Sequence, residues 1–213
     1  MPDYPTRGLL FDSDGVLVDS HAAAAIAWNT WAKTWAPSFD FDRDIVHGRR
    51  MGDSVAELVA PSVFAEAESE LVAMELATTD YVVAMPGAAD LLASLDDDWA
   101  VVTSALRDLA RARLAAAGLR TPGRLVAAED VAAGKPDPAP YLAGAALLGL
   151  HPRDCTVFED APAGIASALA AGIGTIVGIG RMARGHGATI TVPHLRSVSY
   201  RDGVLGVAET VLA

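Results

Sequence analysis

The sequence of 213 residues contains a single cysteine, Cys155. One thiol excludes an internal disulfide and fits a reducing compartment; inside an apolar run, it reads as inert packing. No apolar run approaches the roughly 18 residues that a membrane-spanning helix needs. The N-terminal stretch MPDYPTRG lacks the basic and apolar regions of a secretory signal. These absences lead to the expectation of a cytoplasmic protein with no membrane partner. Positive charge is also scarce, since 16 Lys and Arg face 27 Asp and Glu for a formal net charge of −11. Such a chain repels polyanions, which argues against nucleic acid as a partner. An anionic substrate would need a local positive patch or a metal ion. The charge balance says nothing of assembly, and a monomer or weak dimer is the expectation. Internal repeats and low-complexity linkers are absent.

Just over half of the residues are apolar. That is enough for the core of one large domain, or of one domain carrying a smaller insert. Short apolar runs recur: RGLLF (7–11), WAVVTS (99–104), RLVAA (124–128), CTVFE (155–159) and IGTIVGI (173–179). Helical patterns fall between them. In LRDLARARLAAAG, Leu106, Leu109, Ala110 and Leu114 share one face and Gly118 suits the end. A second helix is expected over 161–171, with Asp160 as cap, Pro162 in the first turn and Gly172 as stop. The runs are continuous rather than alternating, which predicts parallel strands covered on both faces. The fold class expected is therefore α/β, a Rossmann-like doubly wound parallel sheet. In such sheets the ligand site lies beyond the carboxyl ends of the strands.

Residues 21–85 interrupt this rhythm. They show no clear strand, and Trp28, Trp31 and Trp35 recur at helical spacing, the pattern of a packed stripe. Pro86–Gly87 marks the return to the sheet, followed by a helix over 88–95. The expected division is a core of residues 1–20 and 86–213 with a small helical cap, 21–85, inserted after the first strand. RMARGHGAT (181–189) is expected to be a mobile loop. GIGTIVGIG does not open a helix after a strand, so it is no dinucleotide loop, and GKP lacks the remaining parts of a nucleotide P-loop.

The polar residues that follow the apolar runs should converge. The first run ends in FDSDGVLVDS, with Asp12 and Asp14 two residues apart and Gly15 free to turn the chain. Two carboxylates side by side at a buried strand end are costly without a positive partner. The second run ends in Thr103 and Ser104, the fourth in Glu159 and Asp160, and the loop GKPDP supplies Lys135. Three or four carboxylates around one point call for a hard divalent cation, and Mg²⁺ fits oxygen ligands of this kind. With Lys135, such an ion leaves room for a phosphoryl group. Asp12 could then attack phosphorus to form an aspartyl phosphate, and Asp14 could serve as acid and later as base. Each motif alone has a plainer reading as a turn or helix cap, and Lys135 as a surface lysine; their expected convergence outweighs it.

DSDGVLVDS (12–20), VVTSA (101–105), GKPDP (134–138) and VFEDAPAG (157–164) occur in an order that resembles the haloacid dehalogenase superfamily, on its phosphatase branch. The similarity is greatest to small sugar-phosphate phosphatases, with β-phosphoglucomutase related. It implies Asp12 as nucleophile and metal ligand, and Asp14 as acid/base with its main-chain carbonyl on the metal. Thr103 would hold the phosphoryl group with Ser104 beside it, an alignment ambiguous by one residue. Lys135 would steady nucleophile and phosphate, Asp160 would ligate the metal directly, and Glu159 would do so from an outer or water-mediated position. Residues 21–85 would be the cap that closes over the site. Within them Arg49 and Arg50 are candidates for the substrate's distal groups, although a solvated pair is the plainer reading, and His21 is a candidate substrate contact. The activity expected is Mg²⁺-dependent hydrolysis of a small sugar or polyol phosphate. A phosphosugar mutase and a catalytically silent binding or regulatory module are the alternatives.

Overall fold

The apolar runs form strands, and the computed structural model, which describes residues 3–208, joins them into one sheet. In chain order the first elements are β1 (Asp3–Pro5), β2 (Gly8–Phe11) and β3 (Val18–Asp19). A helical stretch follows: α1 (His21–Trp35), α2 (Phe41–Asp44), α3 (Met51–Leu58) and α4 (Phe64–Ala77). Next come β4 (Val83–Ala84), α5 (Ala88–Ala93), β5 (Trp99–Val102), α6 (Arg107–Ala116) and β6 (Leu125–Val126). The chain continues through α7 (Ala139–Leu147), β7 (Cys155–Glu159), α8 (Pro162–Ala170) and β8 (Thr175–Ile179). It closes with β9 (Ile190–Val192), β10 (Val198–Arg201) and β11 (Val204–Val207).

Six strands pair in the order β6-β5-β2-β7-β8-β9, and every pairing is parallel. The chain builds outward from β2 through β5 to β6, then crosses back and builds the other way from β7. The reversal falls beside β2, where open α/β sheets place their ligand crevice. Alternation along β2 sorts its side chains onto two cores. Leu9 and Phe11 join one with Leu91, Leu92 and Leu114, while Leu10 joins the other with Tyr141, Ile165 and Ala168. Both faces are thus covered by helices, which is why the strands read as unbroken apolar runs.

The helical stretch between β3 and β4 has a core of its own, built on Trp28, Trp31, Phe41, Val55 and Leu71. The tryptophan stripe is packing, as its spacing predicts: Trp31 is fully buried, and its Nε1 donates to the Ala67 carbonyl at 2.8 Å. Trp35 is only partly buried and donates to Glu70 at 2.6 Å.

Several expectations need correction. Residues 21–85 do contain a strand, because Val83–Ala84 pairs antiparallel with Val18–Asp19; a strand of two residues is too short to show a period. Asp160 does not cap α8. The cap position is Ala161 with no side-chain bond, because Asp160 turns toward Asp12 instead. The helix after Pro86–Gly87 ends at Ala93, two residues early. Finally, 198–207, for which the sequence suggests no element, forms with β1 an antiparallel sheet in the order β1-β11-β10.

Candidate active site

The main-chain N–H of Asp12 donates to the Phe158 carbonyl at 3.0 Å, so the ladder between β2 and β7 runs one residue past the strand. The chain then doubles back: Gly15 adopts φ +81°, and its N–H donates to the Val18 carbonyl at 2.8 Å. A Cβ at Gly15 would collide with the Asp160 carboxylate, so the position requires glycine for its conformation and for the approach of a neighbour. This turn sets Asp12 and Asp14 at the carboxyl edge of the sheet.

Lys135, only 2% exposed, reaches this edge from the loop before α7. Its ammonium donates to Asp12 Oδ1 at 2.7 Å, to Glu159 Oε1 at 2.6 Å and to the Val102 carbonyl at 3.1 Å, using all three of its protons. Burial alone would lower its pKa, but the pull of Asp12 and then Glu159 outweighs this and raises it. Tyr141 completes the group, with its hydroxyl on Glu159 Oε1 at 2.7 Å and its ring 4.9 Å from the ammonium. The other oxygen of Glu159 accepts from the Ala161 N–H at 3.1 Å, and a Cβ at Gly164 would strike this carboxylate.

Asp12, Glu159 and Asp160 each offer a carboxylate oxygen, all within 4.8 Å of one another. Burial, opposed by Lys135, pushes Asp12 up to about 7, with Glu159 and Asp14 adding repulsion. Asp160 moves the same way, by burial and by the charges of Glu159 and Asp12. One lysine therefore does not balance three carboxylates. The all-oxygen donor set and this residual crowding fit a hard divalent cation. Glu159 already satisfies both oxygens within the protein, which leaves Asp12 and Asp160 as the freer ligands.

The remaining expected residues divide between this edge and its surroundings. Thr103 is buried, its hydroxyl accepts from the Ala105 N–H at 3.1 Å, and it faces the same open cavity as Asp12 and Asp14. Ser104 lines that cavity too, but its hydroxyl donates to the Gly48 carbonyl at 2.7 Å, joining the sheet edge to the helical stretch. Neither caps α6, whose cap position is Leu106. His21 and Arg49 line the cavity from the helical side; His21 pairs with Asp42 at 2.9 Å and Arg49 with Glu57 at 2.6 Å. Arg50 is not on the cavity wall. It holds Asp53 at 2.8 Å and donates to the Val131 carbonyl at 3.3 Å, a contact across the seam between helices and sheet.

Four residues at or beside this site were not singled out from the sequence. Tyr141 carries no signal beyond its place in an apolar helix. His47 lines the cavity near His21, and its pKa is lowered by burial and then by His21. Glu75 and Arg113 are buried charges that meet at 3.2 Å, and Arg113 also holds Asp14 at 3.0 Å. The signal for these two was available: Glu75 falls four residues after Leu71, and Arg113 four after Leu109, so both occupy the apolar stripe of their helices.

A family model described as haloacid dehalogenase-like hydrolase matches residues 6–172. The chain belongs to the haloacid dehalogenase-like hydrolases. Among curated members, hexitol phosphatase A of Escherichia coli is 42% identical over 172 residues, covering 78% of this chain and 80% of that one. Glycerol-1-phosphate phosphohydrolase 2 of Saccharomyces cerevisiae is 36% identical over 184 residues, covering 80% of this chain and 73% of that one. The solved structure of β-phosphoglucomutase from Clostridium difficile shares the fold with a TM-score of 0.78. It is 19% identical and covers 92% of this chain and 94% of that one. As a haloacid dehalogenase-like hydrolase, the chain is an enzyme, and its named relatives place it among the phosphoric monoester hydrolases. No described helix is long and apolar enough to cross a membrane.

Proposed function

We propose that this hydrolase cleaves a small sugar or polyol phosphate monoester through an aspartyl phosphate, using Mg²⁺. The observation that carries the reading is the meeting of Asp12, Lys135 and the neighbours Glu159 and Asp160, from three distant parts of the chain, beside an open cavity that also holds Asp14 and Thr103. The two curated relatives named above are a hexitol phosphatase and a glycerol-1-phosphate phosphohydrolase, which favours a polyol or sugar ester as substrate.

Lys135 occupies Asp12 Oδ1 and so leaves Oδ2 to attack. A bond forms between Asp12 Oδ2 and phosphorus as the ester P–O bond breaks, and the departing alkoxide takes a proton from Asp14. Water then attacks the same phosphorus, gives its proton to Asp14, and releases inorganic phosphate and free Asp12. Lys135 holds Asp12 in place and offsets charge at the reacting group, while the Thr103 hydroxyl donates to a phosphoryl oxygen. Asp12, Asp160 and the Asp14 main-chain carbonyl would hold Mg²⁺, with Glu159 in an outer or water-mediated place, and the ion when bound supplies positive charge against the phosphoryl oxygens. Residues 21–85 act as a cap that excludes bulk water and selects the leaving group through His21, His47 and Arg49.

Release of inorganic phosphate from a panel of sugar and polyol phosphates with Mg²⁺ tests the reading. Asp12→Asn is expected to abolish turnover while the circular dichroism spectrum stays unchanged; undiminished hydrolysis would overturn the nucleophile assignment. A relative 29% identical to this chain, β-phosphoglucomutase of Bacillus subtilis, keeps a mutase as the second reading, and isomer formation without phosphate release would select it.

A further inference from the structure

Arg113 is the one arginine among the described residues whose side chain is almost wholly removed from solvent, at 6% exposure. It extends from α6 into the wall of the cavity, and each end nitrogen takes a different carboxylate. Nη1 donates to Asp14 Oδ1 at 3.0 Å, and Nη2 lies 3.2 Å from Glu75 Oε2 on α4. Glu75 is 5% exposed and is held in turn by the Trp28 indole at 2.9 Å. Ser20 Oγ also donates to Asp14 Oδ1, at 2.5 Å. Both donors on Asp14 therefore grip the same oxygen, which leaves Oδ2 for the cavity that Asp14 lines.

Burying a guanidinium costs several kcal/mol unless it is well paired. Nothing in the sheet needs this charge, since the cores around it are apolar and its Nε has no partner. Arg113 belongs to the sheet's own helix layer and Glu75 to the helical stretch, so their contact ties the two together where Asp14 sits.

We propose that Arg113 is a positioning residue for Asp14. It clamps Oδ1 so that Oδ2 points at the leaving oxygen, and Glu75 anchors the clamp to α4. This rests on the reading of Asp14 as the group that protonates the leaving alkoxide while the ester P–O bond breaks and the Asp12–phosphorus bond forms. Both end nitrogens of Arg113 are engaged by carboxylates, so its part is to hold Asp14 rather than to meet the reacting atoms.

The test exploits the leaving group. An alkoxide needs the proton, whereas p-nitrophenolate leaves without it. Steady-state kinetics with Mg²⁺ would compare an alkyl ester (glycerol 1-phosphate or sorbitol 6-phosphate, whichever turns over faster) with p-nitrophenyl phosphate. Arg113→Met is expected to lower kcat on the alkyl ester by about 100-fold, the usual range of acid catalysis, and on the aryl ester by less than about threefold, with KM little changed. Arg113→Lys should recover part of the loss. Glu75→Gln should show the same selectivity at smaller size, and the double variant Glu75→Gln/Arg113→Met should be no worse than Arg113→Met alone. Equal losses on both esters, an effect confined to KM, or additive single variants would each overturn the proposal. Should Arg113→Met fail to fold, Arg113→Lys and Glu75→Gln carry the same readout. If the unaltered protein hydrolyses neither ester, the functional reading itself falls; if it hydrolyses both and the variants show no leaving-group selectivity, only this inference does.

Discussion

Lys135 shows how much a single side chain can be asked to hold. Its buried ammonium satisfies two carboxylates and a carbonyl, so its removal leaves Asp12 and Glu159 facing each other unneutralised. Lys135→Met is expected to cost about 3–5 kcal/mol, the usual penalty for breaking a buried pair from one side. Equilibrium urea unfolding without divalent cations would measure it, and a change below about 1 kcal/mol would mean that the carboxylates simply take up protons. Asp12 and Asp160 were legible in the sequence because each follows an apolar run whose strand could be read, and parallel strands bring their ends together. Glu75, Arg113 and His47 were not singled out. The apolar stripes of α4 and α6 marked Glu75 and Arg113 as buried, but no spacing along the chain tells that they meet each other and Asp14, and His47 lies between helices where there is no period to read.

At the scale of elements, the helical stretch stands on the packing of α1 against α4. Trp31 is fully buried between them and bonds the Ala67 carbonyl, so Trp31→Ala is expected to cost about 3–5 kcal/mol. Amide hydrogen exchange should report the loss first over residues 21–77, with β2 and β7 still protected. Uniform loss of protection across the sheet would instead mean that the two parts unfold as one. The sheet strands were readable because β2, β5, β7 and β8 are buried along their whole length. β10 alternates between partly buried and exposed, and β3 and β4 are two residues each, too short to show any period, so pairing rather than pattern makes them strands.

For the whole molecule, acidity and metal binding meet in thermal stability. Asp12 titrates at about 7, above the ordinary carboxylate value of 3.8, and Asp160 is raised as well. In a metal-free protein these groups bind protons more tightly folded than unfolded. Their contribution to stability is complete below the unfolded value and fades as pH rises through about 7. A cation binds the ionised form, so the gain in Tm from added Mg²⁺ should widen between pH 5 and pH 7, about the window these shifts define. A gain independent of pH would place the ion elsewhere. The net charge of −11 adds a longer-range effect. Salt shortens the reach of that field from about 30 Å at 0.01 M to about 8 Å at 0.15 M, so kcat/KM for an anionic ester should rise over this range. A steep fall would mean that local positive charge governs the encounter.

The short ribbon of Val18–Asp19 against Val83–Ala84 brings the outgoing and returning chain side by side. Two adjacent crossings make a graft practical: the intervening segment of a relative could be spliced in at these points, leaving the sheet edge and its carboxylates untouched. Preference among esters would then travel with the transplanted piece, while the ability to cleave them stayed with the recipient.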